Sequence, residues 1–368
     1  MRFDAIEGLR APLAWWVVIA HLLQGAGVRP NMMPSGTEWL FVGILPVYGF
    51  IIISGLVIAT LIDTKREDYL PYIIRRYFRL APLIIVAIPV VYVMHRLAIP
   101  GSWPSDLIPF RIFAEVTLFH GLLPDNVIHH GANSFINPAW SISLEWQFYL
   151  VAPFVIYCLR KGGWWLLPIL GFLVLAWTSG AGLQHTSADL FGFEAEFRKP
   201  SYLLAAFHLF LIGICLYYAA KHITIPKQYA QFGIVAIFVL AFFSIGDPRL
   251  YRWMVLPLGG LVAYLVLFKD SALTRLFEHR VMTFLGRISY STYLLHMLTL
   301  QLAQVLLRNS IDPGWTLFAA MSVIAIPSTL LLSWLGYRYI EAPFMELGKR
   351  LAERVTRNQE NTGQRPEA

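Results

Sequence analysis

Arg10 and His21 stand eleven residues apart near the N-terminus, in a run otherwise dominated by apolar side chains. On an α-helix, eleven steps of ~100° come to ~1100°, within about 20° of three full turns. The two side chains therefore share one face, roughly 16 Å apart along the axis. Pro12 lies between them and can kink the helix. An imidazole on such a face can take the proton of an attacking hydroxyl, and a fixed guanidinium can hold an anionic donor or a developing negative charge. Taken singly, each has a plain structural use: Arg10 as an orientation-setting charge and His21 as a helix-packing hydrogen bond.

Other polar residues fall where apolar ones are expected. Glu145 sits in Trp140-Ser141-Ile142-Ser143-Leu144-Glu145-Trp146-Gln147-Phe148-Tyr149. With Trp140 at the outer interface, Glu145 falls about a turn and a half inside. A carboxylate there needs a cation, a donor or water. Its structural role would be an ion pair, its chemical role to orient a histidine or an acceptor hydroxyl. Ser289, Tyr293 and His296 stand at i, i+4 and i+7, on one helical face. Hydroxyls at such positions commonly glue helices together. Arg75, Arg76 and Arg79 form a cationic cluster, with Arg76 and Arg79 neighbours on a helix. Such a cluster serves topology and lipid headgroups, or clamps the phosphates of an anionic donor.

Two further signals are weaker. The adjacent His129 and His130 have no placed carboxylate or cysteine beside them, so a solvated loop is a better reading than a metal site. Ser54-Gly55 lacks the Gly-x-Ser-Gly context of a nucleophile, since Ile52 stands two positions earlier, and reads as close helix packing.

The elements that must hold these residues are set by composition. Of 368 residues, 57% are hydrophobic and 14% charged, and the mean hydropathy is +0.58. Soluble globular chains carry roughly 25% charged residues. This balance excludes a soluble enzyme, a disordered tail protein and a nucleic-acid-binding module. It points to an all-α, polytopic membrane helix bundle. Stretches able to cross ~30 Å of hydrocarbon run near 8–25, 39–62, 78–95, 140–158, 163–179, 201–219, 229–246, 253–268, 287–307 and 315–338, about ten transmembrane helices. The amphipathic piece 111–124 is a candidate re-entrant segment. The net charge of +7 follows from the positive-inside rule. With the N-terminus inside, most Lys and Arg fall on the cytoplasmic side, which makes both termini cytoplasmic. The first apolar run lacks an A-x-A-like cleavage site and reads as a retained span. The two cysteines, Cys158 and Cys215, support neither a disulfide framework nor a metal cluster. Residues 1–346 read as one membrane-embedded domain and 347–368 as a polar cytoplasmic tail, expected to be mobile.

In this order, the segments resemble the acyltransferase family 3 of integral-membrane O-acyltransferases. The resemblance rests on Ile6-Glu7-Gly8-Leu9-Arg10 with His21, on Ile53-Ser54-Gly55-Leu56, and on Arg75-Arg76-Tyr77-Phe78-Arg79. It continues through Trp140 to Tyr149, Leu285 to His296, and Tyr339-Ile340-Glu341-Ala342-Pro343. Glu7 stands where the family more often has Asp, and Phe50-Ile51-Ile52-Ile53 where a Phe-Phe pair is common. The resemblance implies transfer of an acyl group, usually acetyl from acetyl-CoA, to a hydroxyl of a glycan or small metabolite. It implies no metal, and a multi-pass place in the cell's inner (plasma) membrane. By family pattern, Arg10 and His21 carry over as essential residues, Glu145 as a site residue, and Arg76 with Arg79 as the R-x-x-R element; Arg10, His21 and Glu145 are thus the catalytic candidates, and Arg75, Arg76 and Arg79 the donor-binding ones. Ser54, Trp140, Ser143, Tyr149, Ser289, Tyr293, His296 and Glu341 are supporting positions.

The expected mechanism has His21 as general base on the acceptor hydroxyl; a covalent acyl-histidine is the other route. The rival class is a transporter or flippase of a glycan or small metabolite, in which intramembrane charges are equally expected. A passive assembly subunit would leave the burial of His21 and Glu145 unexplained.

Overall fold

The protein is described by a computed structural model over residues 4–65, 67–98, 108–125, 135–163, 165–167, 169–171, 187–190, 193–197, 199–222, 231–232, 235 and 255–361. Among these residues, six helices are long and apolar enough to cross a membrane. They are α1 (Asp4–Gly25), α2 (Ile44–Lys65), α3 (Tyr69–Ala98), α5 (Trp140–Gly162), α6 (Leu203–His222) and the helical run that begins with α11 (Trp315–Gly336). Most of the expected span 163–179 and nearly all of 229–246 lie outside the described residues, as do His129 and His130. The span expected at 253–268 is the shorter α7 (Val255–Leu267), and that at 287–307 is α10 (Ser289–Leu307). The first turns of α10 carry Ser289, Ser291, Thr292 and His296, which keep it from being uniformly apolar.

Two compact units divide the chain, Met1–Val57 with Leu209–Trp334, and Ile58–His208 with Leu335–Ala368. In the first, α1 is the hub. It packs against α7, α8 (Ala272–Phe277), α9 (Arg280–Arg287) and α10. Ser271 caps α8 by accepting a hydrogen bond from the Thr274 amide, the common device for an otherwise unpaired first turn. Val18, Leu22 and Leu23 of α1 join Leu300 and Ala303 of α10 and Leu317, Met321 and Ala325 of α11 in one buried apolar cluster. In the middle of the bilayer such contacts act through van der Waals packing rather than water exclusion. Thr299 and Thr329 tie α10 to α11 through their hydroxyls at 2.5 Å. The α2–α6 contact is built on two glycines. A Cβ at Gly55 would lie 2.2 Å from the Phe210 carbonyl oxygen, and one at Gly213 would lie 2.0 Å from that of Ile52. The Ser54-Gly55 pair thus lies at a backbone-to-backbone approach, the small-residue packing of membrane helices.

In the second unit, α3 packs against α5, against α4 (Ile108–Val116), and against α12 (Ala342–Asn361). The re-entrant candidate at 111–124 is α4 followed by a 3₁₀ turn at His120–Leu122. Gly163, at φ 93°, closes the end of α5. Two short antiparallel strands, β1 (Ser187–Leu190) and β2 (Phe193–Glu196), pair within a described fold that is otherwise helical, as expected. The polar C-terminal stretch, read from the sequence as a mobile tail, is helical as far as Asn361. The reason lies in its small residues. Gly348 and Ala352 are one turn apart and buried, and Phe78 of α3 fills the space where a side chain at Gly348 would stand. Charge on the outer face of α12 hides this packing stripe from a composition count. A π-helical segment, Tyr337–Glu341, joins α11 to α12; such bulges are frequent at functional sites.

Candidate functional site

The first unit gathers a line of polar groups along α1, α2 and α10. His21 is part-exposed on α1, and its Nδ1 lies 3.0 Å from Nε2 of His296. The two rings stack at 5.1 Å between centroids. His296 is 0% exposed. Its own Nδ1 faces the carbonyl oxygens of Tyr293 at 2.8 Å and Thr292 at 3.2 Å, both from the preceding turn of α10. The start of α2 runs beside the His21 face: a Cβ at Gly43 would come 4.0 Å from His21 Cε1. Arg10 lies further along that side of α1, with its guanidinium 5.9 Å from the Phe50 ring centroid and 3.7 Å from the Glu7 carboxylate. Phe50 in turn packs on Tyr293 at 6.1 Å, and Tyr293 on His296 at 6.3 Å. An aromatic wall therefore runs from Arg10 to the histidine pair. The Nε of Arg10 and the Oγ of Ser289 are buried and find no hydrogen-bond partner among the described residues.

Backbone contact fixes where Arg10 stands. A Cβ at Gly8 would fall 1.8 Å from the Phe277 carbonyl oxygen, and one at Gly286 would fall 1.8 Å from that of Glu7. The N-terminal turns of α1 lie directly on α8 and α9, an approach that only glycine permits. The glycines in Ile6-Glu7-Gly8-Leu9-Arg10 and Leu285-Gly286-Arg287-Ile288-Ser289 are therefore the contact points that set the level of Arg10 in the unit.

The second unit holds the remaining charged candidates. Tyr149 donates to Glu145 Oε1 at 2.5 Å, one turn along α5. The Arg76 guanidinium lies 5.7 Å from the Tyr149 ring centroid, and its Nε finds no hydrogen-bond partner among the described residues. Arg79 pairs with Glu341 at 2.8 Å, and its Nη1 also reaches Met345 Sδ at 3.0 Å. Glu341 is almost fully buried, at the end of the π-helical segment. Arg75 pairs with Glu67. The cationic cluster read from the sequence thus divides. Arg75 and Arg79 are engaged by carboxylates of their own unit, while Arg76 keeps an unsatisfied edge over an aromatic ring.

A second face of α5 is structural. Ser143 Oγ accepts from the Gly121 amide at 3.0 Å, and Gln147 donates to the Ser201 carbonyl at 2.9 Å. Gln147 also accepts from the Leu203 amide at 2.9 Å. Ser201 Oγ donates to the Gly121 carbonyl at 2.6 Å. Ser143 and Gln147 are one turn apart, so the motif presents one face to the connecting segments and another, through Glu145 and Tyr149, to Arg76. Trp140 is buried at the start of α5 rather than displayed.

A cluster that the sequence reading passed over lies nearby. Glu115 and His120 are fully buried, with Nδ1 of His120 3.5 Å from Oε2 of Glu115. His120 Nε2 bonds to the Ala139 carbonyl, and Glu115 Oε1 accepts from the Phe135 amide. These polar residues tie α4 to the entry of α5. Their spacing in sequence carries no periodic signal that would have flagged them. Outside the membrane-length helices, burial holds the Lys199 ammonium below the usual lysine range, with Asp125 opposing that effect.

Of the sequence-expected site residues, the structure brings together Arg10, His21, Tyr293 and His296 in the first unit, and Arg76, Glu145 and Tyr149 in the second. Ser54 is buried in α2 beside the glycine contact. Among the described residues, no group of three or more His, Cys, Asp or Glu side chains is placed to hold a metal ion. The chemistry on offer is proton transfer at an imidazole, together with two buried guanidinium edges for negative charge.

Over residues 3–338 the chain matches the model of a family described as an acyltransferase domain. It is 26% identical to the peptidoglycan O-acetyltransferase OatA of Listeria monocytogenes, over 94% of this chain and 56% of that protein. To the O-acetyltransferase OatA of Staphylococcus aureus strain NCTC 8325 it is 25% identical, over 93% of this chain and 57% of that protein. A protein of S. aureus strain COL, provisionally named an O-acetyltransferase, is 24% identical over 95% of this chain and 58% of its own length. The chain thus spans less than three-fifths of the curated relatives it matches. No solved structure matches it.

Proposed function

The chain belongs to the acyltransferase-domain family, which covers nearly all of it, and from that premise we propose that it is a membrane-embedded O-acetyltransferase using His21 as general base. The donor is acetyl-CoA and the acceptor a hydroxyl of a glycan, of a cell-surface polysaccharide or a lipid-linked sugar. The protein is multi-pass in the cell's inner (plasma) membrane with both termini cytoplasmic, in keeping with its charge distribution.

The observation that carries this reading is the His21–His296 pair. One imidazole is part-exposed while its hydrogen-bond partner is fully buried, an arrangement that suits a held base. His21 takes the acceptor hydroxyl's proton as the oxygen attacks the thioester carbonyl carbon. The new C–O bond forms, the C–S bond breaks, and the proton passes on to the departing thiolate. Arg10, with its unsatisfied Nε, stabilises negative charge developing on the carbonyl oxygen. Arg76 offers its free edge to a phosphate of the donor. Arg79, already paired with Glu341, serves the fold. Glu145, held by Tyr149, orients the acceptor hydroxyl.

The test is transfer of labelled acetyl groups from acetyl-CoA into an extract of the host's glycans by purified protein, with His21→Ala in parallel. Transfer by wild type and not by the variant supports the reading. Full transfer by His21→Ala removes the base assignment. No transfer, with saturable glycan flux in liposomes, replaces the enzyme with a transporter.

A further inference from the structure

We propose that the Tyr72 hydroxyl and the Arg76 guanidinium form one phosphate subsite, filled by a phosphate of the acyl donor. This rests on the reading of Arg76 as a donor contact and adds a second group to it. Tyr72 lies in the first turn of α3, where its amide donates to the Asp68 carbonyl at 3.2 Å. The residue is 2% exposed, and its hydroxyl finds no hydrogen-bond partner among the described residues. Burying a hydroxyl unpaired costs free energy, a cost that phenylalanine in the same space would not carry. Other tyrosines of α3 and α5 are satisfied. Tyr69 donates to the Leu150 carbonyl at 3.1 Å, Tyr77 to the Val116 carbonyl at 2.9 Å and Tyr149 to Glu145. Tyr72 is a donor without an acceptor, and its electrostatic neighbours are Arg76 and Tyr69, on its own helix, and Tyr149 and Glu145 of α5.

Arg76 follows one turn along α3, so the two side chains are neighbours on the helix surface. Its Nε is buried and unpaired as well. Arg75 and Arg79 have carboxylates against them, those of Glu67 and Glu341, whereas among the described residues Arg76 has none within ion-pair distance. It lies instead over the Tyr149 ring, which the bond to Glu145 holds in place. An arginine nitrogen only donates, and a phenol can donate. One group that meets both must offer acceptors, and a guanidinium without a carboxylate calls for a negative one. A phosphate supplies both, with several oxygens to share. The first turn of α3 adds the positive end of its macrodipole. In the topology proposed above, this end faces the cytoplasm, the side from which a CoA ester arrives.

The experiment titrates acetyl-CoA into the full chain in nanodiscs, as wild type, Tyr72→Phe, Arg76→Ala and the double variant. S-acetylpantetheine, the same thioester without phosphates, is titrated in parallel. Tyr72→Phe is expected to weaken acetyl-CoA binding about tenfold or more, the scale of a hydrogen bond to a charged group, and to leave S-acetylpantetheine binding unchanged. The double variant should lose less than the product of the two single losses, because both groups serve one phosphate. Without ligand, the unfolding midpoint of Tyr72→Phe should equal or exceed that of wild type, whereas loss of a hydroxyl that only supports the fold would lower it. Unchanged acetyl-CoA affinity in Tyr72→Phe overturns the proposal, as does an equal loss for S-acetylpantetheine or a lowered midpoint. The measurements are repeated in neutral and in anionic lipid. A Tyr72→Phe defect confined to stabilisation by anionic lipid would assign the phosphate to a headgroup and overturn the donor as its source. Failure of the underlying reading looks different: Arg76→Ala would then keep full affinity for acetyl-CoA.

Discussion

Nδ1 of His21 and Nε2 of His296 lie 3.0 Å apart although 275 positions separate them in the chain. Helix α1 brings one, α10 the other, and the apolar cluster formed with α11 holds the two helices in register. A hydrogen bond of this kind is expensive to leave half-made. Removing the buried partner strips His21 of its fixed orientation, while removing His21 leaves Nε2 of the enclosed ring unsatisfied, at a cost of about 1–3 kcal/mol.

Arg79 and Glu341 should behave as a structural pair. Glu341 is buried, and breaking a buried pair by removing one member costs about 3–5 kcal/mol. Part of that is screened here because Arg79 is partly exposed. Glu341→Ala and Arg79→Ala are each expected to lower the thermal unfolding midpoint in detergent. Replacing both, as Arg79→Met with Glu341→Leu, should recover much of the loss. Arg79→Ala with unchanged stability and weakened donor binding would instead make Arg79 a donor contact.

Arg76 should do what Arg79 does not. Arg76→Ala is expected to weaken acetyl-CoA binding about tenfold or more, since a hydrogen bond to a charged group is worth roughly 1.5–3 kcal/mol. Isothermal titration of donor with the purified variant checks this. Unchanged affinity, with a normal unfolding midpoint, would remove Arg76 from the donor site.

Gly8 and Gly286 are predicted to admit no side chain. In each case a methyl group would fall 1.8 Å from a carbonyl oxygen of the facing backbone, so the helices must separate. Overpacking typically costs about 1–3 kcal/mol and sometimes more, and contact with backbone places these sites at the upper end. Gly8→Ala and Gly286→Ala should reduce the yield of folded protein and the unfolding midpoint together. A variant with normal stability and normal transfer would mean that the α1 contact is looser than described.

Tyr149 and Glu145 form the short bond of the second unit. Tyr149→Phe keeps the ring under Arg76 and removes the hydroxyl. It is expected to slow transfer with little effect on folding. In a double-mutant cycle with Glu145→Gln, a coupling of about 1 kcal/mol or more is predicted, the scale of contacting groups in one network. Additive effects would separate the two residues.

Much of this molecule was legible in the sequence. Apolar runs marked the membrane-length helices because length and hydropathy are local properties. The shared face of Arg10 and His21 followed from helix geometry alone, and both do look toward α2, at Phe50 and Gly43. What could not be read were pairings that depend on topology. His296 stood out as a buried polar residue, yet nothing in its spacing named His21 as its partner. The pairing of Arg79 with Glu341, far along the chain, is likewise not readable from local spacing. The helical course of α12 was masked by its charged outer face, since two small residues are enough to seat it on α3. The strands at 187–190 and 193–196 carry no helical period, and the buried pair joins Glu115 in the last turn of α4 to His120 in the 3₁₀ turn beyond it, so no single period of 3.6 links the two.

The central claim is that His21 is the base of an acetyl transfer, and turnover of the His21→Ala protein tests it most directly. Purified wild type and variant, matched for folding by their unfolding midpoints, would be given labelled acetyl-CoA and the host's glycans. Transfer by wild type, with a loss of about 10²-fold or more in the variant, is the predicted result. A folded His21→Ala protein that transfers at the wild-type rate would contradict it.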